Sequence, residues 1–257
     1  MSSEKTTSTA LAYLALLADR GIEYIFANGG TDFAPIVEAY AKAAHTGMSV
    51  PKPLIATHEN LAMSMAHGYA VASGRVPAVM VHVSVGTANA LCGVLNAARS
   101  NVPVLFTAGR SPLTEEGLVG ARDTYIHWAQ EMFDQAGMLR EAVKWEYELR
   151  HGAQLETVID RALTLATSPP EGPVYLSLPR EVLAAKLPGF AYDSPARRVA
   201  ASAPARAVMM RGRAAPVRIA AARATASPAG AAGKGGSMTT SGVAAGAAAS
   251  TSRGSDR

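Results

Sequence analysis

The feature that most constrains the fold is an alternation of two kinds of segment along residues 1–194. Five short runs are rich in apolar and β-branched residues: YIFA (24–27), PLIA (53–56), AVMVHV (78–83), VPVLFTA (102–108) and PVYLSL (173–178). Strands that lack polar alternation and are separated by helices are typical of a parallel sheet covered on both faces. The alternation predicts an α/β fold, a doubly wound parallel sheet in a three-layer α/β/α arrangement.

The helical segments have apolar residues at a spacing of three or four. The first contains Leu11, Leu14 and Leu17, and the others span 33–44, 59–73, 87–99 and 155–166. Residues 109–131 have no clear period, and loops of this length in a compact domain are usually functional or mobile. A short helix is expected within HWAQEMFDQAG (127–137).

The composition changes near residue 190. We expect one domain over 1–190, followed by a low-complexity tail over 191–257 that is rich in Ala, Arg, Gly and Ser. Such a segment buries too little apolar surface to offset chain entropy, so it is expected to be disordered. Two alternatives stay open: an arginine-rich arm that binds nucleic acid, and translation of GC-rich DNA out of frame.

The charge is unevenly distributed between these two parts. Ten of the 24 basic residues but only one of the 20 acids lie in 195–257, which leaves 14 basic and 19 acidic residues in 1–194. A basic nucleic-acid-binding surface on the domain is therefore excluded, and no nucleic-acid partner is expected.

Cysteine content and hydropathy indicate the compartment. The single cysteine, Cys92, rules out an internal disulfide framework and suits a reducing environment. No run of about 18 apolar residues is present, and the first residues lack the features of a secretory signal. We expect a cytoplasmic protein without a membrane partner.

Three strand ends carry polar or glycine-rich residues, in ANGGTD (27–32), THEN (57–60) and HVSVGTAN (82–89). In an open parallel sheet, ligands bind at the carboxyl ends of strands near the switch in strand order. Glu59 either complements a helix dipole, worth about 0.3–1 kcal/mol, or is a partly desolvated acid suited to proton exchange. His82 is either a hydrogen-bonded core histidine or a second group in this crevice. No spacing predicts a metal site.

Four ordered stretches resemble one known domain. They are GIEYIFANGGTDFAPIVEAY, THENLAMSMAHGYAVASG, HVSVGTANALCGVLNAARSNVPVLFTAGR and EGPVYLSLPREV. Together they resemble the amino-terminal pyrimidine-binding (Pyr) domain of thiamine diphosphate enzymes, a group that includes acetolactate synthase, benzoylformate decarboxylase and pyruvate oxidase. The resemblance covers residues 8–187.

The resemblance implies roles for particular residues. Glu59 would hydrogen-bond the N1′ ring nitrogen of the cofactor's aminopyrimidine, and the cofactor would act as the electron sink for 2-oxo-acid decarboxylation. His82 matches an active-site histidine of the decarboxylases. Gly29, Gly30 and Asn89 are expected to join Glu59 in binding the cofactor.

The substrate-proximal positions are mixed. Thr31 stands where benzoylformate decarboxylase-like members have a substrate-contacting hydroxyl, whereas Gln130 resembles a glutamine of the synthases and Lys144 a lysine that follows it. Acetolactate synthase-like chemistry, decarboxylation with acyl transfer, is the leading expectation. A 2-oxo-acid decarboxylase or lyase of the benzoylformate decarboxylase type is the alternative.

The GDG…NN motif of the family's diphosphate-binding domain does not occur in the sequence. The resemblance then implies a truncated or frame-shifted chain with half an active site, inactive alone. Mg²⁺ would bind only through a diphosphate-binding domain, supplied in a homodimer or by a partner chain. A non-catalytic Pyr-type subunit or interaction module stays open. A dinucleotide-binding domain is disfavoured, because no G-x-G-x-x-G follows the first strand.

Overall fold

The apolar runs form the strands of one parallel sheet. The computed structural model describes residues 7–188 of the chain. The strands are β1 (Thr7–Ser8), β2 (Tyr24–Asn28), β3 (Lys52–Ile55), β4 (Ala78–Val81), β5 (Leu105–Arg110), β6 (Glu146–Glu148), β7 (Val174–Pro179) and β8 (Lys186–Leu187). Six of them form the main sheet in the order β3-β2-β4-β5-β7-β6, and all of its pairs are parallel. The short strands β1 and β8 pair antiparallel in a separate sheet.

Helices follow most of these strands. They are α1 (Thr9–Asp19), α2 (Ala34–Thr46), α3 (Glu59–Ser73), α4 (Val83–Arg99), α5 (Ile126–Ala129), α6 (Leu155–Thr167) and α7 (Arg180–Ala184). Their ends follow the expected chemistry. Ser8 caps α1 by accepting from the amide of Leu11 at 3.2 Å, and α2 and α3 end at Gly47 and Gly74 in the left-handed region.

Both faces of the sheet are buried, which confirms the predicted three-layer fold. Successive strand residues point to opposite faces: Met80 belongs to the apolar cluster formed with α1, α2 and α6, and Val81 belongs to the cluster formed with α3 and α4. The fold is therefore a doubly wound α/β/α sandwich.

Three local features differ from the sequence prediction. Strand β3 is an edge strand, and Ile55 at its end is 76% exposed. Helix α4 begins at Val83 rather than at residue 87, so His82 precedes a helix instead of ending a strand. Strand β6 was not predicted, because its sequence, Glu-Tyr-Glu, is short and polar.

The predicted tail over 191–257 lies outside the described residues. Among residues 7–188, no helix has both the length and the apolar character needed to cross a bilayer.

Candidate active site

The three polar strand ends meet at the switch point of the sheet. Strands β2 and β4 are neighbours, but the chain leaves β2 toward β3 on one side and leaves β4 toward β5 on the other. The two connections diverge, and a crevice opens between them at the carboxyl ends. Residues 29–32, 56–59 and 82–84 lie at this edge because they follow β2, β3 and β4.

Glu59 is a buried carboxylate in the first turn of α3, with only 8% of the residue exposed. Its Oε2 accepts a hydrogen bond from Asn89 Nδ2 of α4 at 3.0 Å. Gly86 lies beside the other oxygen: a Cβ there would be 3.4 Å from Glu59 Oε1 and 3.0 Å from Val81 Cβ. Thus Asn89 of α4 binds Oε2 of Glu59, and Gly86 of α4 places no side chain beside Oε1.

His82 forms the centre of a second group in the crevice. Its Nδ1 lies 2.5 Å from Asp32 Oδ1, and its Nε2 lies 2.9 Å from Gln130 Nε2. A proton on Nδ1 would make the ring a donor to Asp32. Ser84 Oγ donates to the carbonyl of Gln130 at 2.8 Å, which fixes that loop against α4. The structure thus places Gln130 directly against His82, and a role for either residue stays a prediction.

The environment of His82 favours its protonated form. Burial alone would lower the pKa of the imidazole, because desolvation penalises the cation. The hydrogen bond and charge of Asp32 oppose this effect, with added contributions from Gln130 and the charge of Glu59, and the net result is a raised pKa for His82. Histidine is a common proton donor and acceptor in catalysis.

The two glycines of the first loop allow this arrangement. A Cβ on Gly30 would lie 2.3 Å from the Cγ and Nδ1 atoms of His82, so only glycine lets the ring approach the loop. A Cβ on Gly29 would lie 3.1 Å from the ring of Phe33. Contact of these glycines with a cofactor stays a prediction.

The other two substrate-proximal candidates lie in different places. Thr31 is exposed and begins a 3₁₀ turn at the crevice. Lys144 does not join the site: its ammonium group donates to the carbonyls of Leu165 and Ser168 at the end of α6, and its amide donates to the carbonyl of Pro173, just before β7. This is the amino end of the strand, opposite the crevice, and the placement gives no support for a substrate role.

Sequence reasoning missed Asp32, which is only 2% exposed. It was part of the ANGGTD motif, but Thr31 was singled out instead. The available signal was an acid directly after the first strand at a predicted switch point.

Comparison with known proteins identifies the family. The family described as "Thiamine pyrophosphate enzyme, N-terminal TPP binding domain" matches residues 6–138, slightly more than half of the chain. The chain belongs to the thiamine pyrophosphate enzymes. It has the TPP-binding N-terminal domain of enzymes like acetolactate synthase and benzoylformate decarboxylase.

Individual proteins that are similar to this chain support the same family assignment. A benzoylformate decarboxylase of Pseudomonas aeruginosa is 29% identical, over 76% of this chain and 34% of the relative. An acetolactate synthase large subunit of Lactococcus lactis is 32% identical, over 70% of this chain and 29% of the relative. The solved structure of a thiamine diphosphate-dependent 4-hydroxybenzoylformate decarboxylase from Rhodococcus jostii RHA1 matches with a TM-score of 0.58 and 25% identity, over 70% of this chain and 31% of that one. The chain spans about a third of the length of these relatives.

The residues at the crevice fit the aminopyrimidine of thiamine diphosphate. A buried carboxylate is the right partner for a ring nitrogen that shares a proton. Within residues 7–188, Glu59 accepts a side-chain hydrogen bond on Oε2 only, and the absence of a side chain at Gly86 leaves space at Oε1. Glu59 is therefore the residue of this domain suited to hold that ring.

Proposed function

We propose that this domain supplies the aminopyrimidine-binding half of an active site that decarboxylates a 2-oxo acid. The observation that carries the proposal is Glu59, a buried carboxylate at the switch point with one oxygen held by Asn89. Matched relatives named benzoylformate decarboxylase and acetolactate synthase support a 2-oxo acid as substrate.

Two proton transfers are assigned to two different side chains, one to Glu59 and one to His82. Thiamine diphosphate, when bound, supplies an electron sink for cleavage next to a carbonyl. Glu59 holds a proton at Oε1 against the N1′ ring nitrogen, while Asn89 orients the carboxylate through Oε2. His82 exchanges a proton with the substrate at Nε2, and Asp32 stabilises the imidazolium through Nδ1. Gly30 leaves the space that the ring of His82 occupies.

The rest of the site is proposed to come from a diphosphate-binding domain, which would also hold Mg²⁺ and the cofactor's diphosphate. A second copy in a homodimer or a partner chain would carry this domain. Exposed aromatic residues in the loop after β5 support a partner: Tyr125 is 83% exposed and Phe133 is fully exposed. A reducing cytoplasmic setting is proposed from the single cysteine, Cys92.

Gln130 favours a second candidate, acyl transfer to a second 2-oxo acid as in acetolactate synthase. Its amide contacts His82 directly, so the synthase-like and decarboxylase-like residues lie in one group. Both candidate reactions include the decarboxylation. They differ in the next step, which is protonation in a decarboxylase and addition to a second 2-oxo acid in a synthase.

Reconstitution tests the function. The chain is mixed with a separately expressed diphosphate-binding domain of the P. aeruginosa relative, thiamine diphosphate and Mg²⁺, and is given pyruvate or benzoylformate. We expect CO₂ release from the mixture and none from the chain alone. An aldehyde product identifies a decarboxylase, and a hydroxy-oxo acid identifies a synthase. A mixture that binds the cofactor but releases no CO₂ from either acid would refute the proposal.

A further inference from the structure

Asp32 connects two strand ends, its own after β2 and that of β4. It lies in the 3₁₀ turn after β2 and is 2% exposed. Its Oδ1 lies 2.5 Å from His82 Nδ1, and its Oδ2 accepts from the amide of Val83 at 3.3 Å. One carboxylate therefore holds both the imidazole and the backbone that carries it.

The backbone at this point is strained. Val83 has φ of 27°, and a β-branched residue with positive φ is a true outlier that needs support from its surroundings. The hydrogen bond from its amide to Asp32 provides such support. Backbone strain is common at functional sites, where it helps to orient a side chain. The residue before Val83 is His82, so the strained backbone here carries the imidazole.

Two glycines from different parts of the chain leave space for the Asp32–His82 pair. A Cβ on Gly109 of β5 would lie 1.6 Å from Asp32 Oδ2, and a Cβ on Gly30 would lie 2.3 Å from His82 Nδ1. Either side chain would displace the carboxylate or the ring. The carboxylate-imidazole pair is thus built into the sheet edge and is not a chance surface contact.

Other charged groups face the pair from neighbouring elements. Glu59 of α3 acts on His82 through its charge. Arg110, Arg180 and His127 line the same small cavity as Asp32, together with Gln130. The arginines have acidic partners of their own, since Arg110 pairs with Glu148 and Arg180 with Asp123. Among these groups, Asp32 alone makes a direct ion pair with His82 within the described residues.

We propose that Asp32 is the positioning residue of His82: it keeps a proton on Nδ1, so that Nε2 is the nitrogen that exchanges protons with the substrate. In serine proteases, a buried aspartate fixes the tautomer and orientation of the catalytic imidazole in the same way. The statement about the substrate rests on the proposed function, whereas the tautomer and its cause can be tested without it. When His82 is protonated, Gln130 can turn its amide and accept from Nε2–H.

The test is a titration of the full chain labelled with ¹⁵N-histidine and followed by NMR. His82 is assigned from the signal lost in His82→Gln. In the wild type we expect the neutral ring to carry its proton on Nδ1. Asp32→Asn keeps the shape but removes the charge, and we expect the pKa of His82 to fall. Asp123→Asn, which removes the exposed acid next to His127, is the matched control and should leave His82 unchanged.

Two results would overturn the proposal: a neutral His82 protonated on Nε2 in the wild type, or an unchanged pKa in folded Asp32→Asn. If Asp32→Asn does not fold, the wild-type tautomer still decides the matter. The measurement uses neither cofactor nor turnover. A correct tautomer in a chain that fails reconstitution would refute the proposed function alone, and the wrong tautomer in an active mixture would refute this inference alone.

Discussion

Two carboxylates at the crevice have different surroundings, and the difference separates their roles. Asp32 is bonded through both oxygens, to His82 and to the amide of Val83. Glu59 is bonded through Oε2 to Asn89, with space at Oε1 beside Gly86. The contacts of Asp32 hold its neighbours in place, and we assign it a positioning role. An acid with one oxygen available can bind a ligand.

The raised pKa of His82 gives a prediction for stability. Because the fold favours the imidazolium, His82 stabilises the protein most below its unfolded-state pKa of about 6.5. This contribution is lost as the pH rises through the higher folded-state value. Urea unfolding of the wild type and His82→Gln should therefore differ most at acidic pH and converge as the pH increases. His45→Gln, at an exposed position, is the control, and a difference that grows with pH would contradict the assignment.

The sequence predicted the residues that follow strands but not the contacts among them. Glu59 and His82 were found because each lies near the carboxyl end of a predicted strand and within a stretch that resembles the family. Asp32 was missed because its importance depends on the absence of a side chain at Gly109, a residue far away in the sequence. Lys144 was assigned by order along a loop, and order along a loop does not determine which edge of the sheet a residue reaches.

At the scale of elements, the pair α3 and α4 forms one wall of the site. Helix α3 carries Glu59, and α4 carries Asn89 and Gly86. The helices approach closely at Gly93, where a Cβ would lie 2.7 Å from the Cβ and Cγ atoms of Met63. The distance between Glu59 and Asn89 therefore depends on a glycine one turn further along α4.

Gly93→Ala is predicted to separate these helices. Overpacking should lower the free energy of unfolding by about 1–3 kcal/mol, despite the better helix propensity of alanine, and should weaken cofactor binding in the reconstituted mixture. Gly68→Ala in α3 is the matched control: nothing lies within 4 Å of its added Cβ, so stability should rise by about 0.5–1 kcal/mol. Denaturant unfolding measures both, and equal effects at the two positions would argue against close packing at Gly93.

Element types could be predicted from periodicity, but some boundaries could not. Helix α4 begins a turn earlier than its apolar pattern, because the amide of Val83 has a partner in Asp32 that no local sequence shows. Strand β3 looked buried because its residues are apolar. Its place at the edge is fixed by the order of the whole sheet.

At the scale of the whole molecule, the described domain presents one side of a site. We propose that its crevice binds an aminopyrimidine through Glu59 and exchanges a substrate proton through His82. The chain spans about a third of the length of its relatives. We therefore expect Glu59 to have a measurable function only when a diphosphate-binding domain is present.

The most direct measurement is the rate of CO₂ release by the reconstituted mixture with Glu59→Gln, compared with the wild type at saturating cofactor. Loss of a positioned proton partner should reduce kcat by about 10²–10⁴-fold. Glu141→Gln, at an exposed position, should keep the wild-type rate. If Glu59→Gln turns over as fast as the wild type, Glu59 is not the proton partner of the aminopyrimidine.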